Sequence, residues 1–117
     1  MTLPLTPDTL AGAFEFLRTT PPYRGWRLPH ADSVVFTVNR HKSYIATHQG
    51  GDPCVIEVSS AIVGNTHTLL WAIGHEMIHC HQFLTKKETR NTTHNADFRR
   101  KAEAACRYHG WDARLFI

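Results

Sequence analysis

The sequence lacks the features by which membrane and secreted proteins are usually identified. It contains no run of about 18 apolar residues, the length that a membrane-spanning helix requires. Its N-terminal segment, MTLPLTPDTL, lacks the basic start and the apolar core of a secretory signal peptide. We therefore expect neither membrane insertion nor secretion.

Cysteine is scarce in this chain. Cys54, Cys80 and Cys106 are its three cysteines, and no two of them form a Cys-x-x-Cys pair. An odd count without a secretion signal is typical of free thiols in a reducing compartment. We therefore predict free thiols and a cytoplasmic protein. Cys80 lies on the apolar stripe of a predicted helix, so we expect a small buried side chain rather than a metal ligand.

Net charge is also modest, whereas histidine is abundant. The formal charge of +3 permits contact with nucleic acid but does not indicate it. A hydrophobic fraction of 42% and a charged fraction of 20% are typical of a globular protein. The length of 117 residues leaves room for one core, so we predict a single domain over residues 1–117. Four of the nine histidines lie between His75 and His94.

The N-terminal third predicts one helix and the start of a sheet. Thr6 is a suitable N-cap and Pro7 a suitable first helical residue, and the helix should end by Thr20. Its apolar face consists of Leu10, Ala13, Phe14 and Leu17.

Three β-branched segments follow, at residues 33–39, 43–48 and 54–59. The short gap at 40–42 suits a hairpin, and the Gly-Gly-Asp-Pro sequence at 50–53 is a turn signal. We therefore predict a three-stranded antiparallel meander. The last strand directly precedes the next helix and is expected to offer an edge to an extended substrate.

Two further helices are predicted to end the chain, at about residues 66–84 and 95–109, with Gly110 as a left-handed C-cap. Together with the sheet they indicate an α+β fold. Their apolar stripes are Leu70, Ile73, Met77, Cys80 and Leu84 in the first, and Phe98, Ala102, Ala105 and Cys106 in the second.

The first of these helices contains the sequence His75-Glu76-Met77-Ile78-His79. Residues four apart lie about 40° apart around a helix and one turn along it, so their imidazoles can converge on one ion. Glu76 is rotated away from His75, where its carboxylate can accept a proton from a water that the metal activates. The sequence therefore predicts a zinc site with His75 and His79 as ligands and Glu76 as general base.

A third protein ligand is needed, and the pentapeptide does not identify it. His81 lies about 200° around the helix from His79 and should face away. His94 opens the last helix after a loop long enough to turn back. Glu103 would be the ligand in a thermolysin-like arrangement, but it lies about 180° around that helix from His94, so both cannot face the metal. The remaining downstream candidates are Glu88 and His109.

The stretch HEMIHCHQFLTKKETRNTTHNADF resembles the SprT-like (Spartan/SprT) zinc metalloprotease domain family. In that family H-E-[MIL]-[ILV]-H is often followed, fifteen residues after its second histidine, by a third zinc-binding histidine. That histidine opens a helix and precedes an aromatic residue four positions on. Here His94 lies fifteen residues after His79, and Phe98 follows at the expected place. The resemblance covers about residues 66–112.

The resemblance implies a zincin-like fold and a zinc-dependent metallopeptidase that hydrolyses protein substrates, some of them associated with DNA. It makes His75, His79 and His94 the ligands of Zn2+ and Glu76 the catalytic base. Asn95 departs from the family, which often has glycine after the third histidine. Many members also carry a C-terminal zinc ribbon or DNA-binding tail. The sequence has no Cys-x-x-Cys, so we expect such targeting to be absent or supplied by another protein.

Basic residues flank the predicted site in sequence. Such a cluster is typical of a solvated surface, but it also predicts weak, salt-sensitive binding to DNA phosphates. The residues predicted to contact DNA are Lys86, Lys87, Arg99 and Arg100, with Arg90 and Lys101 beside them.

Two other functions remain open from the sequence. One is a non-catalytic binding module that keeps zinc for folding, and the other is a nucleic-acid-binding adaptor that uses the basic residues. An intact Glu76 argues against the first, because a purely structural zinc site has no need of that carboxylate.

Overall fold

The computed structural model describes residues 4–51, 53–89 and 92–116. Within these ranges the chain is an α+β protein with four α-helices and a three-stranded mixed sheet, as the sequence predicted at the level of fold class. The helices are α1 (Pro7–Arg18), α2 (Thr66–Thr85), α3 (Ala96–His109) and α4 (Ala113–Phe116), and the strands are β1 (Val34–Asn39), β2 (Ala46–Gln49) and β3 (Cys54–Ser59).

Helix α1 begins with the predicted cap. The Thr6 hydroxyl accepts a hydrogen bond from the Thr9 backbone N–H, and the Thr9 hydroxyl in turn accepts one from the Thr6 N–H. Two of the free donors at the helix start are thereby satisfied. The predicted apolar face is confirmed, because Leu10, Ala13, Phe14 and Leu17 are all buried.

The predicted antiparallel meander is wrong. The strand order is β1-β3-β2, with β1 parallel to β3 and β2 antiparallel to it. The connection from residue 40 to 45 therefore spans two strand spacings, about 10 Å, rather than making a hairpin. Hydrogen bonds hold this crossing, from the Ser59 hydroxyl to the His41 carbonyl and from the Ser60 N–H to the Asn39 carbonyl.

This topology also corrects the expected substrate edge. Strand β3 is paired on both sides, so it cannot accept a further strand. The two outer strands of the sheet are β1 and β2. Ala46 and His48 of β2 lie opposite Val58 and Ile56, two buried residues of β3, so all four share one face of the sheet.

Cys54 and Cys80 form a disulfide that joins the start of β3 to the middle of α2. The prediction of free thiols is therefore wrong for these two, although Cys80 is buried as expected. Cys106 is free, and burial raises the pKa of its thiol to about 11. None of the described helices is both long and apolar enough to cross a membrane. A cytoplasmic location stays a prediction.

Helix α2 runs through the core, with Ile73, Met77 and Ile78 fully buried. Leu84 was predicted on the same stripe, but its side chain is 49% exposed because it lies in the last turn, beyond the covering elements. Tyr23 and Trp111 pack closely against Gly74 of α2. The Tyr23 hydroxyl donates a hydrogen bond to the Gly74 carbonyl at 3.0 Å, and the Trp111 ring lies against the same residue.

We expect the substitution Gly74→Ala to destabilise the protein by about 1–3 kcal/mol. Alanine normally favours a helix over glycine by about 1 kcal/mol, but here its Cβ would lie 2.6 Å from the Tyr23 hydroxyl oxygen and 3.0 Å from Trp111. Gly12 of α1 is a matched control, since nothing lies within 4 Å of a Cβ at that position. In urea denaturation the Gly12→Ala protein should be as stable as the parent protein or more stable. A Gly74→Ala protein as stable as Gly12→Ala would contradict this packing.

Candidate metal centre

The three predicted ligands converge. His75 and His79 lie one turn apart on α2, His94 lies just before α3, and one nitrogen from each lies within 4.8 Å of the other two. The Nε2 atoms of His75 and His79 are 3.2 Å apart. Two nitrogens that each lie about 2.0–2.1 Å from one tetrahedral zinc ion are about 3.3–3.4 Å apart, so the pair has the spacing of a chelating site.

Phe98 forms the apolar support of this cluster. Its buried ring stacks on His94 at a centroid distance of 4.4 Å and on His79 at 4.5 Å, and it meets His75 edge-on at 5.0 Å. Helix α3 thus places one ring against all three imidazoles. The aromatic residue four positions after His94 therefore restricts the orientations of the three rings.

A main-chain carbonyl fixes the orientation of His75. The His75 Nδ1 lies 2.6 Å from the Phe116 carbonyl oxygen, so Nδ1–H donates and the Nε2 lone pair faces His79 and His94. Metal-ligating histidines usually have such an outer partner, because it fixes the tautomer and raises the basicity of the ligating nitrogen. Nothing in the sequence indicates this contact, since any residue supplies a carbonyl.

Asn95 anchors the loop that carries His94. Its side-chain oxygen caps α3 by accepting from the Phe98 N–H at 2.9 Å, and its amide donates to the Lys87 carbonyl at 3.0 Å. The buried Gln82 of α2 donates to the same Asn95 oxygen at 2.9 Å. The residue that departs from the family pattern thus ties the start of α3 to the end of α2, which holds His94 in place.

Glu76 is buried beside the three histidines, and a residue that sequence reasoning missed holds it. His48 of β2 places its Nδ1 3.4 Å from a Glu76 oxygen and its Nε2 3.4 Å from a Glu88 oxygen. Its ring also stacks on His79, with the two planes 3° apart. Alternation along β2 could have put His48 on a defined face, but only the strand order shows that this face meets α2.

Burial works to lower the pKa of His48, but its hydrogen bonds to Glu76 and Glu88 outweigh burial and raise that pKa. For His79 burial is the largest cause of a lowered pKa, and the neighbouring imidazoles add to it. Together they lower the pKa of His79 to about 3. Burial and the nearby His75 likewise lower the pKa of His94. His79 and His94 are therefore neutral at pH 7, the form in which imidazole binds a metal.

Two overlapping groups could hold a metal ion, namely His75 with His79 and His94, and His48 with Glu76 and His79. The first fits better on chemical grounds. Both nitrogens of His48 face carboxylates, which leaves neither nitrogen free to bind a metal, whereas His75 and His79 direct nitrogens at one point. The first group also leaves the Glu76 carboxylate unligated.

The other downstream candidates lie away from this point. His81 stacks on Trp26, and its pKa is lowered to about 4 by burial and then by Lys101. Glu103 is exposed on α3, and Glu88 is engaged by His48. His109 contacts Thr20 and stacks on Trp111. Within the described residues, none of the four belongs to the group formed by His75, His79 and His94.

The basic residues predicted to bind DNA are exposed, but they do not all carry free charge. Lys86 and Lys87 lie at the C-terminal end of α2, and Arg99 and Arg100 lie on the first turns of α3. Asp97 pairs with Arg100 at 2.9 Å and with Lys101 at 2.8 Å, which offsets part of the cluster. Arg90 lies outside the described residues.

We expect the metal-free protein to lose stability as the pH falls from about 6.5 toward 4. Folding lowers the pKa of His79 from its ordinary value of 6.5 to about 3, so the unfolded chain binds more protons over this interval. His81 acts in the same sense, with a pKa of about 4. His48 acts in the opposite sense, because its raised pKa contributes stability that is lost as the pH rises.

Urea denaturation of metal-free protein at pH 7 and pH 5 checks this expectation. The variant His81→Phe, which keeps a ring against Trp26, should retain the part of the pH dependence due to His79. Equal midpoints at the two pH values in the parent protein would contradict the expected net loss of stability.

No protein-family model matches the chain, and no curated protein matches its sequence.

Proposed function

We propose that this protein is a zinc-dependent metallopeptidase with a zincin-like fold, of the SprT-like type that its sequence resembles. One observation carries the proposal: three imidazoles converge at ligand spacing, and the buried Glu76 carboxylate lies beside them without belonging to that set. A structural zinc site typically closes its fourth position with another protein ligand, whereas a catalytic site keeps it open. Here the described residues offer three ligands and a neighbouring base.

The donor set of three imidazoles suits zinc. His75, His79 and His94 would hold the ion, which when bound polarises the scissile carbonyl and lowers the pKa of a coordinated water. Glu76 would accept a proton from the attacking water and deliver it to the leaving amine. His48 hydrogen-bonds the Glu76 carboxylate and keeps it oriented. The Phe116 carbonyl accepts a hydrogen bond from His75 and orients its ring.

Strand β2 is the part of the sheet that suits an extended substrate. It is an outer strand, and its His48 reaches Glu76, so its free edge runs close to the base. A peptide added along this edge would gain main-chain hydrogen bonds and bring a peptide bond toward Glu76. This role replaces the one that the sequence suggested for residues 54–59.

The substrate in this proposal is a protein, and its association with DNA stays a prediction. The exposed Lys86, Lys87 and Arg99 are the cations for such contacts that Asp97 does not neutralise. A cytoplasmic location also belongs to the proposal, with the condition that the Cys54–Cys80 disulfide must withstand cellular reductants there.

Removal and return of the metal test the proposed function. Protein stripped with a chelator should lose hydrolysis of an unfolded protein such as casein, and one equivalent of zinc should restore it. Circular dichroism in both states shows whether the fold persists without metal. A metal-free protein as active as the reconstituted one would contradict a zinc-dependent mechanism. A zinc-loaded and folded protein that cleaves nothing would favour the binding module instead.

A further inference from the structure

A cavity of about 320 Å³ opens directly beside the candidate metal centre, and His75, Glu76 and His94 all line it. It is therefore continuous with the site where peptide-bond chemistry is proposed. Its volume is roughly ten times the share of one water molecule in the liquid, which is enough for a large side chain. The segment leading into β2, helix α2 and helix α4 supply the rest of the described lining.

The described lining of the cavity is mainly apolar. No lysine or arginine occurs among the described residues that line the cavity, and Glu76 is the one carboxylate. A charged side chain placed there would lose its hydration, and an acidic one would also meet the Glu76 charge. An aromatic ring or branched aliphatic chain loses nothing and removes apolar surface from water. The main apolar contributors are Tyr44, Ile45, Ala46, Trp71, Leu115 and Phe116.

The position of the cavity relative to β2 identifies which part of a substrate enters it. Ala46 is the first residue of β2 and lines the cavity, while His48, on the same face of the strand, contacts Glu76. A peptide extended along β2 presents alternate side chains to opposite sides. One of the side chains flanking the bond at Glu76 can therefore enter the cavity.

We propose that this cavity selects substrates with a large apolar side chain, aromatic or branched aliphatic, next to the scissile bond. The inference rests on the proposed peptidase function and adds its specificity. It could not be reached from the sequence, because the lining residues come from separate segments of the chain.

Matched peptides test the proposal. The probes are fluorogenic peptides of glycine, serine and alanine with one variable residue, which is phenylalanine, leucine, alanine, lysine or aspartate. With zinc-loaded protein, kcat/KM should be about 10- to 100-fold higher for phenylalanine or leucine than for aspartate. Mass spectrometry should place the cut next to the variable residue. Equal rates for all five peptides, or cuts elsewhere, would overturn the proposal.

Two variants probe the cavity from different sides. Ala46→Phe should fill it and reduce the preference for phenylalanine over alanine about tenfold. Leu115→Asp alters a side chain that is 70% exposed, so the fold should persist, and it should shift the preference from phenylalanine toward lysine. Zinc content should be unchanged in both variants. An unaltered preference in a folded Leu115→Asp protein would exclude this cavity as the source of specificity.

Failure of the peptidase function is distinguishable from failure of this inference. If zinc-loaded protein cleaves none of the peptides, the proposed function fails. The affinity for the same peptides, measured by calorimetry, then shows whether the cavity still selects apolar side chains. Tighter binding of the phenylalanine peptide than the aspartate peptide, weakened by Ala46→Phe, supports the apolar site. Equal affinities, or no binding, reject it.

Discussion

Replacing Glu76 with glutamine should lower the rate of peptide hydrolysis about 10²- to 10⁴-fold while leaving zinc in place. The amide matches the carboxylate in size and can still accept a hydrogen bond from His48, so the contact at 3.4 Å is preserved. It cannot take a proton from water. Because Glu76 does not belong to the group of His75, His79 and His94, metal content should stay near one equivalent.

Glu88 provides the matched control for that experiment. It lies on the other nitrogen of His48 at the same distance of 3.4 Å, yet it is exposed and does not line the cavity beside the histidines. Glu88→Gln therefore removes an equal charge from the same network without removing the base. We expect near-parental hydrolysis from this variant, measured with the same casein assay and metal analysis. Equal losses of activity in the two variants would mean that hydrolysis depends on the negative charge around His48 and not on a base at position 76.

The sequence predicted the parts of this site that depend on local spacing. The distance of four residues between His75 and His79 fixes their common face on a helix, and no tertiary information is needed for that. The three longer helices were predicted well for the same reason, since capping by Thr6 and the left-handed Gly110 are local features. The short helix α4 was not predicted.

The parts that were missed depend on which segments meet. Their β-branched and aromatic residues identified β1, β2 and β3 but could not tell a hairpin from a crossing connection, because strand composition and periodicity do not determine which strand is the neighbour. For the same reason the sequence did not identify His48, which reaches Glu76 only because β2 lies beside α2. Nor did it identify the Cys54–Cys80 disulfide, whose partners are 26 residues apart. A carbonyl contact such as that of Phe116 carries no residue signature at all.

The second large effect is expected in zinc affinity, when one of the three proposed ligands is removed. His94→Ala removes one of three converging imidazoles, so zinc affinity should fall by more than about 100-fold, beyond the 10- to 100-fold typical of lost outer partners. His75→Ala and His79→Ala should behave alike. Glu103→Ala should bind zinc as the parent does, because Glu103 is exposed on α3 and belongs to neither candidate group. Competition with a chromophoric chelator measures each affinity.

His48→Ala separates the two metal groups that share His79. If the ion is held by His75, His79 and His94, loss of His48 removes a hydrogen bond to Glu76 and a stacked ring, and zinc affinity should fall by no more than about 100-fold. If it is held by His48, Glu76 and His79, the order reverses: His48→Ala and Glu76→Gln lose the metal and His94→Ala keeps it. That reversal would take Glu76 out of the role of base, since a carboxylate bound to the ion is not free to accept the proton. The comparison of His48→Ala with His94→Ala therefore tests the ligand set and the role of Glu76 together.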